Sequence, residues 1–358
     1  MIAPTPRREF LKQLAAGAGV AALGPVLGAA AGAAGAAPVV YQNPVYAGSM
    51  PDPGVLRTGG VYYAVGTTGT GRKADGRVFT LLRSPDLVRW EELGGALTPP
   101  SADARYDYWA PELAEQDGRF YLYYAMGLAA EERFNVRVAV SDRPEGPYAD
   151  TGTPLADCTG DRFSIDPHPF RDADGRWYLF YARDYPNTDG GYLAGTGLAV
   201  DRLVGMTRLA GECRTVLRAR YPWTLYQANR RMDAFDRTFP EWHTIEAPFV
   251  WRHGGKYYCF YSGANWQTDR YGVDYAVADH VMGPYTGAGR EARVLRGVPG
   301  RVRGPGHHSI VVGPDGRDWM VYHAWDPEMR VRQMCIDPLV WTPEGPRCTP
   351  TVTRQVVG

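Results

Sequence analysis

A glycine followed by a run of aromatic and aliphatic residues is written five times along this chain. The copies are Gly60-Val-Tyr-Tyr-Ala-Val-Gly, Gly118-Arg-Phe-Tyr-Leu-Tyr-Tyr, Gly175-Arg-Trp-Tyr-Leu-Phe-Tyr, Gly255-Lys-Tyr-Tyr-Cys-Phe-Tyr and Gly316-Arg-Asp-Trp-Met-Val-Tyr. Their glycines lie 58, 57, 80 and 61 residues apart. Turn sequences such as Asp-Ala-Asp-Gly before Arg176 and Pro-Asp-Gly before Arg317 precede the runs. The unit therefore reads as strand, tight turn, strand. Ser84-Pro-Asp-Leu-Val-Arg-Trp, Ser141-Asp-Arg-Pro-Glu-Gly-Pro-Tyr and Ala278-Asp-His-Val-Met-Gly-Pro-Tyr supply further turns that close several copies. Past the N-terminal segment no long stretch has a helical period. Units of this size, each with about four short strands, stack radially. Five copies predict an all-β fold, a five-bladed β-propeller. An open sandwich is the competing fold, but it leaves the regular spacing unexplained.

The one irregular interval holds roughly 20 extra residues between about Gly211 and Trp242, rich in aromatics and arginine (Tyr221, Trp223, Tyr226, Arg230, Arg231). This insertion runs directly toward Glu246.

The N-terminal segment is of another kind. Arg7 and Arg8 precede an uncharged Ala/Gly/Leu/Val run from Leu14 to about Gly32, and small residues follow at Ala34, Ala36 and Ala37. This pattern predicts a twin-arginine export signal over residues 1–37 and one propeller domain over 38–358. A membrane anchor is the alternative, and so many Ala and Gly make a poor permanent span. The expected location is extracellular.

With 39 basic and 39 acidic residues the chain has no net charge to draw it to nucleic acid or anionic lipid, so neither is an expected partner. The 23 tyrosines and 10 tryptophans suit contact with sugar rings, although β-sheet packing uses the same residues. Five cysteines do not make a disulfide framework. Cys259 and Cys335 fall in apolar strand patterns and read as packed thiols, while Cys158 and Cys213 could bridge two loops.

Counting nine residues back from each turn glycine gives a polar column. It lands on Trp109, Asp166, Glu246 and His307, with Asp52 eight back from Gly60. If each unit begins with its innermost strand, all five residues meet at one mouth of a central channel. Packing does not ask for three carboxylates there, because Asp and Glu are seldom buried without partners. The plainer alternative is a set of turn residues capping strands, since prolines stand close by.

These residues resemble glycoside hydrolase family 43, inverting five-bladed propeller enzymes acting on arabinan and xylan. The matching pieces are Met-Pro-Asp-Pro at 50–53, Tyr-Trp-Ala-Pro-Glu at 108–112, Ser-Ile-Asp-Pro at 164–167, Ile-Glu-Ala-Pro at 245–248, Gly-Pro-Gly-His-His-Ser at 304–309 and Ile-Asp-Pro-Leu-Val-Trp at 336–341. Ala247 stands where the family usually has glycine. The resemblance implies Asp52 as general base, Glu246 as general acid, and Asp166 as the group that raises the acid's pKa and orients it. Inversion needs such a pair roughly 6.5–9.5 Å apart, with room for a water.

The resemblance further implies that His307 faces a central hydrated ion, often calcium, or a water. Calcium prefers oxygen ligands, so such an ion would be held mostly through water; catalysis itself needs no cofactor. Trp109 would offer its face to the sugar, with a core role as the alternative. Arg332 would reach the base, with a solvated strand position as the alternative. From its place before Glu246, the insertion is expected to shape the pocket, with Trp223 or Tyr226 touching substrate.

The leading expectation is a monomeric α-L-arabinofuranosidase or arabinan hydrolase whose partner is carbohydrate. β-Xylosidase activity would use the same chemistry. A non-catalytic sugar-binding propeller would not need the acid–base pair. The related retaining fructosidases carry Arg before the middle Asp-Pro, where this chain has Ile165.

Overall fold

Every repeat glycine sits in the turn between the first two strands of an antiparallel unit. The computed structural model describes residues 39–155 and 163–357; the expected export segment and Cys158 lie outside the described residues. The first unit runs Gly54–Thr58, Val61–Gly66, Val78–Ser84 and Glu91–Thr98. The second runs Asp107–Gln116, Arg119–Leu128, Arg133–Ser141 and Tyr148–Asp150. The third has Ser164–Arg171, Trp177–Tyr185, Gly195–Val204 and Arg214–Arg218. The fourth has Ile245–His253, Lys256–Gly263 and Gly272–Ala278. The fifth has Arg303–Val312, Asp318–Trp325, Arg332–Thr342 and Gly345–Cys348.

The first strands of the five units touch one another in cyclic order, the fifth returning to the first. This is a β-propeller, with each unit's opening strand innermost as the repeat predicts. The fourth unit departs from four strands. Among its described residues, isolated bridges Val277 to Thr286 and Val273 to Leu295 replace the outer strand. The segment there contains Gly283, Pro284, Gly287 and Gly289. Glycine loses the most freedom on ordering and proline offers no N–H, so a regular ladder is disfavoured.

The aromatic run has a packing reason. Successive residues of a strand face opposite sides of its sheet, and in this ring each side meets a neighbouring unit. Tyr63 and Val65 pack with Leu113, Leu122 and Tyr124 of the second unit. Tyr62 and Ala64 pack with Trp319, Val321 and Ile336 of the fifth. The same division puts Tyr121 and Tyr123 against Leu179 and Tyr181, Phe180 and Ala182 against Cys259 and Tyr261, and Phe260 against Met320 and Tyr322. Burying each large side chain contributes roughly 1.5–3 kcal/mol. Both faces are apolar, so the runs show no polar alternation.

The ring is tied shut by its ends. Val39–Tyr41 pairs antiparallel with Gln355–Val357, and Asn43 exchanges hydrogen bonds with the Ile336 main chain, 2.9 Å each way. Cys259 and Cys335 are buried free thiols, as their pattern predicts, and Cys348 is another. Cys213 forms no disulfide with any described residue and lies 3.3 Å from the Tyr181 hydroxyl.

The insertion is a hairpin, Leu225–Met232 with Arg237–His243. Gly195 pairs with His243 and joins it to the third unit. A Cβ at Gly195 would lie 2.0 Å from the His243 carbonyl oxygen, so only glycine permits this approach. Met232, Phe239 and Trp242 give the hairpin a small core with Ala194.

Candidate active site

Toward one end of each innermost strand, a non-glycine residue takes a left-handed backbone. These are Asp52, Ala110, Asp166, Ala247 and His307, with φ of 56°, 48°, 55°, 51° and 42°. Register shifts accompany the last four. Such conformations are uncommon for residues with a Cβ and gather where a site needs them.

This geometry corrects the polar column. Nine residues back from the turn glycine finds the left-handed residue only in the third and fifth units, whose hairpins turn through five residues. Where the turn has two residues it lies eight back, at Asp52, Ala110 and Ala247. Trp109 and Glu246 therefore precede the position that Asp52, Asp166 and His307 occupy. On a regular strand that offset would turn a side chain to the other face. The bulge that follows breaks the alternation.

All the same, Asp52, Asp166, Glu246, Trp109, His307 and Arg332 line one cavity of about 550 Å³. The three carboxylates do not face separate surfaces. Arg332 Nη1 lies 2.8 Å from Asp52 Oδ1, and its guanidinium lies over the Trp266 ring at 4.4 Å. Burial works to raise the Asp52 pKa, but the charge of Arg332 overcomes it, with His307 and His323 nearby, and holds the group well below the carboxylate range. Arg332 is thus an ion-pair partner, not a solvated strand residue.

Glu246 is driven the opposite way. Burial lifts it to about 7; the Tyr271 hydroxyl, donating to Oε1 at 2.6 Å, resists, and the charge of Asp52 adds to the lift. Asp166 is raised well above its usual range by burial, then by the charges of Glu246 and Asp52, against the Ala247 N–H that donates to its Oδ2 at 2.9 Å. Two buried carboxyls that repel each other in this way titrate as a pair. Repulsion between two carboxylates is mutual, so the charge of Asp166 acts on Glu246 as that of Glu246 acts on Asp166, beside burial and the charge of Asp52.

Trp109 stacks one face on Phe134, ring centroids 3.8 Å apart, and also lines the cavity, so it packs in the core and borders the site at once. His307 Nδ1 faces Asp52 Oδ1 at 3.3 Å. Among the described residues no group of three or more His, Cys, Asp or Glu side chains could hold a metal. The donors around His307 do not by themselves make the oxygen-rich cage that calcium prefers.

The insertion divides its two candidates. Tyr226 lines a second cavity of about 230 Å³, which shares Trp109, Ile165, Glu246 and Trp266 with the first. Arg230 lies over the Tyr226 ring at 4.9 Å and pairs with Glu132 of the second unit at 2.7 Å. Trp223 lines neither cavity. It stacks on Tyr261, crowds Gly263, and donates its indole N–H to the Gly289 carbonyl at 3.1 Å. Its aromatic character serves packing, which local sequence does not distinguish from sugar contact.

Three residues of this centre escape the sequence reading. Trp266 walls both cavities. Tyr271 carries the bond to Glu246, and Gly306 makes room for it: a Cβ there would lie 2.4 Å from the Tyr271 ring. His323 accepts the Asp52 main-chain N–H at 3.1 Å through Nδ1. A count of seven forward from each turn glycine, to Thr67, Ala125, Ala182, Ser262 and His323, isolates the last of these.

Known proteins of similar sequence and fold name the family. The family model for glycosyl hydrolases family 43 matches residues 41–346. A β-D-galactofuranosidase of Aspergillus niger is 26% identical, covering 88% of this chain and 86% of its own length. An extracellular exo-α-(1→5)-L-arabinofuranosidase of Streptomyces chartreusis is 29% identical over 89% of this chain and 92% of its own. The crystal structure of a thermostable family-43 glycoside hydrolase superposes with a TM-score of 0.73 at 28% identity, covering 88% of this chain and 98% of that one. A match across most of the repeat, on a fold that brings the three carboxylates together, places this chain in glycosyl hydrolases family 43.

Proposed function

We propose that this glycosyl hydrolase cleaves α-L-arabinofuranosyl linkages of plant polysaccharide by inversion, with Asp52 as general base and Glu246 as general acid. The observation that carries the reading is the opposed protonation of two carboxyls on one cavity. Asp52 is ionised by Arg332, and Glu246 is held as the acid to about pH 7. A single displacement needs that division of labour. The base takes a proton from water attacking the anomeric carbon, and the acid gives one to the departing oxygen. Asp166 orients the acid by capping the main chain at Ala247, next to Glu246.

The second cavity supports a place for the leaving group. Glu246 borders both cavities and Asp52 only the first. The sugar whose bond breaks would occupy the first, and the departing residue the second, against Tyr226. Furanose specificity draws on two relatives named as furanosidases. α-L-Arabinofuranose and β-D-galactofuranose share their ring configuration and differ in the substituent on C4. With the export segment at residues 1–37 removed, residues 38–358 would work outside the cell.

Aryl α-L-arabinofuranoside, β-D-galactofuranoside and β-D-xylopyranoside test the reading side by side. Fastest release from the first, with product of inverted anomeric configuration by NMR, is expected. Fastest release from the xyloside would replace the furanosidase reading with a xylosidase. Retained anomeric configuration would remove Asp52 from its role as base.

A further inference from the structure

A left-handed residue inside a strand leaves its ladder, and its main-chain N–H has to find another acceptor. In four of the five units that acceptor is a side chain. Ala110 donates to Thr67 Oγ1 at 2.8 Å, Ala247 to Asp166 Oδ2 at 2.9 Å, His307 to Ser262 Oγ at 2.9 Å and Asp52 to His323 Nδ1 at 3.1 Å. Thr67, Ser262 and His323 hold one place in the repeat, seven residues after Gly60, Gly255 and Gly316. Each reaches from its own unit into the next around the ring. Ala125 and Ala182 stand at this place in the second and third units and have no side-chain acceptor. There Asp166 itself caps Ala247.

A hydroxyl suffices at two of these locks, yet the one that closes the fifth unit onto Asp52 is a histidine. Its ring does more than accept. It lies parallel to the Tyr271 ring, 5° between planes and 5.8 Å between centroids, and the Tyr271 hydroxyl holds Glu246. A serine could cap Asp52 but could not brace Tyr271. Nδ1 lies 3.1 Å from the Asp52 main-chain nitrogen and 3.4 Å from its Oδ1, so it meets both the backbone and the side chain of that residue. Burial, the largest influence, keeps its pKa down at about 4, so the ring is neutral near pH 7. The side chain is fully buried and is not among the residues lining either cavity.

We propose that His323 is the shared positioning residue of the catalytic pair, fixing the backbone of Asp52 through Nδ1 and bracing the tyrosine that holds Glu246. The inference rests on the roles proposed above for Asp52 and Glu246. Small displacements of a catalytic group cost up to a hundredfold in rate, and substrate binding should be little affected.

Two variants separate the two arms. His323→Phe keeps a ring for Tyr271 and removes the acceptor; His323→Asn keeps an acceptor for the Asp52 N–H and removes the ring. With kcat and KM measured on an aryl glycoside per folded molecule, Phe should lower kcat about ten- to a hundredfold. Asn should restore most of that loss, and both KM values should stay within about twofold. Unchanged kcat per folded molecule in His323→Phe, or a His323→Asn no more active than His323→Phe, whatever happens to Tm, would overturn the proposal. Asp52→Asn measured alongside tells the two failures apart. Normal turnover in that variant sinks the base assignment, while an inert Asp52→Asn beside fully active His323 variants sinks only the positioning role.

Discussion

Two sets of buried carboxylates, at the channel mouth and at the ring closure, differ in how completely they are satisfied. Asp337, fully buried where the chain's ends meet, accepts from the Tyr41 hydroxyl at 3.1 Å, Asn43 Nδ2 at 3.0 Å, the Tyr322 hydroxyl at 2.8 Å, Thr351 Oγ1 at 2.6 Å and the Thr351 N–H at 3.1 Å. At the mouth Asp166, also buried, takes the Ala247 N–H and otherwise faces the charges of Glu246 and Asp52. Burial raises the pKa of both residues. At Asp337 every donor draws it back; at the mouth like charge pushes further. A saturated buried carboxylate ties chain segments together, and one left short of donors beside like charge keeps its raised pKa and belongs to the reacting centre.

Replacement of single residues puts this contrast to its hardest test. Glu246→Gln keeps an acceptor for Tyr271 and removes the acid, so kcat on a substrate with a poor leaving group should fall about 10²–10⁴-fold. Its Tm should hold or rise, because a buried ionisable group is gone. Asp337→Ala should do the reverse. Stranding that many buried donors costs on the order of 3–5 kcal/mol, visible as a lowered Tm, while kcat per folded molecule stays near wild type. If Asp337→Ala lost turnover with Tm unmoved, the distinction between saturated and unsaturated carboxylates would fail.

Titration is a milder probe. Glu246 must be protonated and Asp52 ionised, so kcat/KM should be flat below neutrality and fall as pH rises through about 7. The acid limb should lie well below the ordinary carboxylate range, where Asp52 gains its proton. Stability carries a matching sign. Glu246 has a raised pKa when folded, so between its ordinary value of 4.5 and about 7 the folded state binds more protons than the unfolded, and stability declines across that window. Glu246→Gln should flatten the decline. A basic limb in kcat/KM near pH 5 would contradict the burial of the acid.

The aromatic repeat carries most of the fold because two-sided burial leaves no polar alternation and fixes the period. Asp52, Asp166 and Glu246 were likewise legible, since carboxylates beside prolines at strand starts are not what packing asks for. What the sequence hid depends on distance in three dimensions. Tyr271 lies 25 residues from Glu246 and His323 lies 271 from Asp52. Tyr271 follows the polar stretch Thr268-Asp269-Arg270 and carries no mark of its partner, so only the register of the ring reveals that it faces Glu246. His323 stands out in its apolar strand only by its place seven after the turn glycine.

The insertion poses the same question on a smaller scale. Trp223 has its one polar atom engaged by Gly289 and its ring packed on Tyr261, whereas Tyr226 borders the cavity beside the acid. Trp223→Ala should lower Tm and leave substrate preference unchanged. Tyr226→Ala should raise KM for an arabino-oligosaccharide about five- to tenfold, roughly 1–1.4 kcal/mol of lost binding, with little change for an aryl glycoside whose leaving group does not fill the second cavity. Equal KM changes on both substrates would mean that Tyr226 supports the first cavity instead. A preference shift in Trp223→Ala would show that a side chain committed to packing can still steer specificity, and would narrow the contrast drawn from Asp337 and Asp166.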